Sequence, residues 1–240
     1  MNSKEVVEYI SRNHVNFSHT ILKNVSLNEV DIIKEFNDSS LLGLLKSTDW
    51  IISHVIQQDG PILQDSKIDN SKNSTDFIIH TDGPYYTYVP EIVGLFCINE
   101  WSKSAVTYLS DTTNAIESLL QEEIEILQKL QYTYIGKDWR EYPRNLIEND
   151  PLTGLRITNV SARWFISPHI IPWNDLPDLF TSSKIINKLY QALEDSIVCE
   201  HIMEKWDLFL FNNNRYLHGR KSTIKDTQRH LLRLWISKKE

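Results

Sequence analysis

Two cysteines in 240 residues, Cys97 and Cys199, do not make a disulfide framework, and both sit in apolar contexts, LFCI and SIVCEHI. A reducing compartment fits that scarcity. Long apolar runs are missing as well. The longest, IVGLFCI, is far short of the roughly 20 residues that span a bilayer. The opening stretch MNSKEVVEYISRNH carries acids and has no apolar core of a signal peptide. The expectation is a cytoplasmic chain with no membrane partner. There is no long basic block either: 25 Lys and Arg stand against 32 Asp and Glu, a formal net charge of -7, which argues against a nucleic-acid partner. Internal repeats, heptad arrays, a glycine-rich phosphate loop, a Cys-x-x-Cys pair and a Gly-x-Ser-x-Gly elbow are all absent.

What is present has the composition of a folded domain, 41% hydrophobic and 24% charged, and the length suits one domain spanning 1–240. Apolar residues recur at three- and four-residue steps in SKEVVEYISRN and in SLNEVDIIKEFNDSSLLGLLKSTDWIISHVI, with Ser26 and Glu29 at capping-box spacing. This predicts a helical part over 1–57. Residues 58–75 are rich in Asp, Asn, Ser and Lys and read as a loop. Beyond them DFIIHT, EIVGLFCINE, AVTYLS, LRITNVSARWFIS, WDLFLFNN and RHLLRLWIS are short β-branched and aromatic runs that predict strands. Helical periodicity in TTNAIESLLQEEIEILQKLQ and SSKIINKLYQALEDSIVCEHIMEK predicts two helices between them. The expected fold is mainly β with flanking helices, built on a jelly-roll or barrel core over 76–237.

Two segments carry chemistry. In the first, His80-Thr81-Asp82 ends a strand before Gly83-Pro84; side chains two apart on an extended chain share a face, so an imidazole and a carboxylate can converge on one ion. His-x-Asp is common by chance, and a strand end whose Asp begins a turn accounts for it equally well. In the second, His218 precedes a glycine and is followed at offsets of 11 and 15 by Arg229 and Arg233, which also share a strand face. Two inward arginines require an anion, whereas arginines at a barrel rim pair with surface acids.

Taken together, His80-x-Asp82, Leu217-His218-Gly219-Arg220 and the final strand Arg229-His-Leu-Leu-Arg233 resemble the iron(II)- and 2-oxoglutarate-dependent oxygenases of the taurine dioxygenase/clavaminate synthase-like group. The resemblance spans about residues 76–237. It implies a double-stranded β-helix (jelly-roll) core and three metal ligands, His80, Asp82 and His218, in the two-histidine, one-carboxylate facial triad. It further implies 2-oxoglutarate as cosubstrate with O2, the far carboxylate held by Arg229 through two parallel hydrogen bonds and assisted by the Thr107 hydroxyl. Arg233 would meet an acidic group on the substrate or pack as a structural arginine on Trp235. Tyr85 and Tyr86 would line the pocket, or serve as packing in an edge strand.

The activity implied is oxidation, most simply hydroxylation, of a C–H bond in a small substrate such as an amino acid or other small carboxylate or sulfonate, with release of succinate and carbon dioxide. Two other readings use the same residues: a zinc-dependent hydrolase, and a non-catalytic small-molecule binding barrel. The loop 58–75, just ahead of the first ligands, is expected to close over the site.

Overall fold

The computed structural model describes residues 1–44, 52–56, 77–99, 105–135, 140–149, 156–160, 179–221 and 230–239. The expected loop 58–75, the stretch 161–178 and Arg229 lie outside them. The chain opens with helix α1 (Ser3–Asn13), whose start is a capping box: the Asn2 side chain accepts from the Glu5 N–H and the Glu5 carboxylate from the Asn2 N–H. Strand β1 (His19–Leu22) and helix α2 (Glu29–Asp38) follow. The cap of α2 is Asn28, which accepts from the Val30 and Asp31 amides, and not Ser26 as the spacing suggested. Short strands β2 (Leu42–Leu44) and β3 (Ile52–Ile56) come next, so the helical periodicity of 1–57 breaks after Asp38. Both segments pair with the last strand of the chain, and apolar runs this short carry no period that separates a strand from a helix.

The chain continues through β4 (Phe77–His80), β5 (Ile92–Asn99) and β6 (Val106–Asp111). The first expected internal helix is two, α3 (Thr112–Glu117) and α4 (Gln121–Lys129), and the Asp111 carboxylate caps the former by accepting from Thr113 and Asn114. A hairpin of β7 (Gln131–Ile135) and β8 (Glu141–Asn145) precedes the short pair β9 (Ile147–Asn149) and β10 (Arg156–Thr158). Helix α5 (Leu179–Asp195) stops at Asp195, ten residues before its periodicity suggested, and Ile197–Ile202 forms strand β11. Strands β12 (Leu208–Asn212), β13 (Tyr216–Lys221) and β14 (His230–Lys238) complete the chain.

These strands make two main antiparallel sheets. One runs β1-β12-β5-β14-β2, with β3 also on β14; the other runs β11-β6-β13-β4. Strand alternation assigns each apolar side chain to a layer. Val93, Leu95, Phe209, Phe211, Leu231 and Trp235 of the larger sheet meet Leu109 and Tyr216 of the smaller one between the sheets. The opposite face of the larger sheet, with Phe96, Leu210 and Leu234, packs on Val6, Ile10, Ile32 and Phe36 of α1 and α2. The outer face of the smaller sheet, with Tyr108 and Leu217, is covered by α3, α4 and α5. This is the expected mainly β jelly-roll with flanking helices, and its inner layer is where the polar site is built. Among the described residues no helix is long and apolar enough to cross a membrane.

Candidate metal centre

His80 and His218 are strand partners in β4 and β13. Register therefore sets them side by side on the inner face, with ring centroids 4.1 Å apart. Asp82 follows in the turn after β4, and its Oδ1 lies 3.6 Å from His80 Nε2. One donor atom from each of the three residues falls within 4.8 Å of the other two, and all three residues are buried. Two imidazole nitrogens and a carboxylate oxygen at such spacing fit a divalent first-row metal, with the remaining positions left to ligands from outside the chain.

The turn that presents Asp82 is fixed from both sides. Thr81 donates its amide to the Val160 carbonyl at 2.6 Å. The fully buried Asn213 accepts from the Asp82 amide at 3.0 Å, and its Nδ2 donates to the carbonyls of Asp82 and Pro90 at 3.0 and 2.9 Å. Gly83 then takes a φ of 76°, in the left-handed region, where a Cβ would come within 2.8 Å of Pro90 Cδ. Asn213→Ala should remove all three contacts and strand the Asp82 amide in the interior. The expected result is a loss of about 1–3 kcal/mol of stability by denaturant titration, with weaker metal binding.

Both carboxylate oxygens of Asp82 have donors: Trp235 Nε1 donates to Oδ2 at 2.9 Å, and Arg233 Nη1 to Oδ1 at 3.3 Å. Burial alone would push the Asp82 carboxyl up, but the Arg233 guanidinium and the two histidines outweigh it and hold the group below the usual carboxylate range, so the ligand is ionised.

Of the other residues expected in the site, Thr107 is buried in β6, where its strand partners are Arg220 and His201. Alternation places it on the inner face with Leu109. Arg233 is buried, with its guanidinium 5.0 Å from the centre of the Trp235 ring and its Nη1 donating to Asp82. Tyr85 and Tyr86 lie in turns and not in an edge strand. Tyr86 leans on the inner layer, edge-on to Trp235 at 5.2 Å, while Tyr85 packs on the helix-covered layer. Arg144 shapes that turn by donating to the carbonyls of Pro84, Tyr86 and Thr87.

Sequence reasoning gave no site role to Asn213, Arg220 or Trp235. Asn213 was hidden in a run of three asparagines that reads as a turn. Arg220 and Trp235 each stand two residues after a residue already singled out on the same strand, so parity was the available signal.

A buried facial set of two histidines and one aspartate, presented by a two-sheet jelly-roll, defines the class of metal-dependent jelly-roll oxygenases. The sequence matches the family described as taurine catabolism dioxygenase TauD, TfdA family over residues 51–235, and the chain belongs to that family. It is similar to the 3-((Z)-2-isocyanoethenyl)-1H-indole synthase of Fischerella ambigua (strain UTEX 1903), 25% identical over 169 residues, 65% of this chain and 62% of that protein. It thus spans less than two thirds of that relative's length. Among solved structures it is similar to PvcB, an Fe, alpha-ketoglutarate dependent oxygenase from an isonitrile synthetic pathway. The TM-score is 0.68 and the identity 18%, covering 98% of this chain and 81% of that one. It is also similar to an asparagine oxygenase in complex with Fe(II), 2S,3S-3-hydroxyasparagine and succinate, with a TM-score of 0.66 and 12% identity over 97% and 78% of the two chains.

Proposed function

We propose that this protein is an iron(II)- and 2-oxoglutarate-dependent dioxygenase that oxidises a C–H bond of a small, amino-acid-like substrate, releasing succinate and carbon dioxide. The observation that carries the reading is the buried convergence of His80, Asp82 and His218 in a chain of this family. Iron(II), held by these three, would supply the dioxygen and keto-acid chemistry. The protein's own residues do the rest. The aspartate stays ionised, the two rings are fixed by strand register, and the apolar inner layer with Phe211, 4.8 Å from the His218 ring, excludes water from the reacting centre.

Thr107 and Arg220, inner-face partners across β6 and β13, offer a hydroxyl and a guanidinium side by side. They are suited to the far carboxylate of 2-oxoglutarate, the group that the family resemblance also gives to Arg229, which lies outside the described residues. Hydroxylation is the simplest outcome. Two relatives are named for isonitrile chemistry, one for making an indole that bears an isocyanoethenyl group. The ethenyl group in that product's name favours a second outcome, desaturation of the substrate. Two cysteines that form no disulfide with each other fit a reducing, cytoplasmic setting for this chemistry.

An anaerobic titration of the metal-free protein with iron(II) and 2-oxoglutarate tests the assignment. The native protein should develop the visible charge-transfer absorption of a chelated keto acid, and Arg229→Ala should need a higher 2-oxoglutarate concentration to reach it. Bound metal with no such band at any concentration overturns the reading. Substrate screens followed by mass spectrometry then separate a gain of one oxygen from a loss of two hydrogens.

A further inference from the structure

We propose that Trp235 is a positioning residue that makes Asp82 a ligand through one oxygen only. The inference rests on the metal site proposed above and assigns a task to a residue outside it. A carboxylate can take a metal through one oxygen or both. Here the two oxygens are differentiated: Oδ1 is the one 3.6 Å from His80 Nε2, and Oδ2 accepts the indole N–H of Trp235 at 2.9 Å. An indole nitrogen is a donor only, so it cannot join the ligand set; it can only hold an oxygen away from it.

The donor is also held in place. Trp235 is 2% exposed, its ring edge-on to Tyr86 at 5.2 Å, with Gly83 on another side, where even a Cβ would approach Trp235 Cη2 to 3.7 Å. Arg233, two residues earlier on the same face of β14, has its guanidinium 5.0 Å from the ring centre. The two donors differ in what a metal would do to them. Arg233 reaches the oxygen beside His80, at the longer distance of 3.3 Å, so a metal bound to that oxygen would compete with it. Trp235 reaches the other oxygen, and its hydrogen bond is compatible with occupancy.

The consequence is a count of positions. Two imidazoles and one carboxylate oxygen leave three of six positions open, enough for a two-toothed keto acid and one more reactant; a carboxylate bound through both oxygens would leave two. Trp235 thereby preserves the third position, and an outer partner of a ligand is the kind of group whose loss weakens metal binding by about 10- to 100-fold.

The test compares the native protein with Trp235→Phe, which keeps a ring in the inner layer and removes the N–H. Iron(II) affinity is measured anaerobically, the cobalt(II) form is used to read coordination number from its visible absorption, and the melting midpoint of the metal-free form is recorded. The expected result is iron(II) binding weakened by about 10- to 100-fold and a changed cobalt(II) spectrum, in a variant that still folds with its midpoint lowered by a few degrees. A folded variant with native affinity and spectrum overturns the proposal.

If Trp235→Phe does not fold, the indole N–H resonances of the 15N-labelled native protein are followed on addition of zinc(II), with Trp235 assigned through its contacts to Tyr86. Slow exchange of that proton with and without metal supports the clamp, and exchange as fast as the exposed Trp206 overturns it. A native protein that binds iron(II) but gives no band with 2-oxoglutarate defeats the cosubstrate reading and leaves these readouts of the clamp standing.

Discussion

His218→Ala should abolish 2-oxoglutarate turnover while the protein stays folded. The strand that carries His218 is held by backbone pairing, to Leu109 of β6 on one side and His80 of β4 on the other, and neither ladder uses the imidazole. The metal set would fall from three donors to two, with no other His, Asp, Glu or Cys among the described residues grouped there to replace it. A lost ligand should exceed the 10- to 100-fold weakening that follows the loss of an outer partner, about 1.4–2.7 kcal/mol. At ordinary iron concentrations that leaves no measurable succinate release or oxygen consumption. His14→Ala is the control: its Nδ1 donates to the Ser11 carbonyl of its own helix end at 2.8 Å, and turnover should be native. Succinate production by folded His218→Ala at the native rate would remove His218 from the ligand set.

How much of this was legible before folding depends on the length scale of each signal. His80 and Asp82 are two residues apart, and strand parity alone set them on one face. His218 is 138 positions away, and no local rule joins it to His80; only the ordered family pattern brought it in, and the β4–β13 register then supplied the geometry. The errors lay where local periodicity was ambiguous. LLGLL and IISHVI are too short and too apolar for a helical period to be told from a buried strand. Ile197–Ile202 followed a true helix with little punctuation, although its half-buried and exposed residues alternate as an edge strand requires. The clamp around Asp82 was invisible for another reason. Asn213 and Trp235 act through side-chain hydrogen bonds to Asp82 across 131 and 153 residues, which no composition or spacing encodes.

Asp82→Ala should damage stability as well as metal binding, because the aspartate serves the metal-free fold too. Arg233 is 8% exposed and donates to Asp82, and Trp235 donates to the other oxygen. Removing one member of a buried charge pair costs about 3–5 kcal/mol, since the remaining charge has lost its counter-ion in a medium that solvates it poorly. The indole N–H adds the smaller penalty of a buried donor deprived of its acceptor. Replacing both partners is different in kind: Asp82→Ala with Arg233→Met removes the charge together with its partner, and apolar replacement of a whole buried pair is often neutral.

Denaturant titration of the native protein, both single variants and the double variant, all metal-free, closes this cycle. The double variant should be more stable than Asp82→Ala alone, and the coupling between the two positions should be well above the roughly 0.5 kcal/mol at which distant sites add. Simple additivity would mean that Arg233 owes its place to Trp235 and not to Asp82. In that case the arginine would be free of the ligand in energetic terms and available to an acidic group on the substrate even before metal binds. Strong coupling instead ties the arginine to the ligand, and a metal on Oδ1 would then compete with Arg233 for the same oxygen.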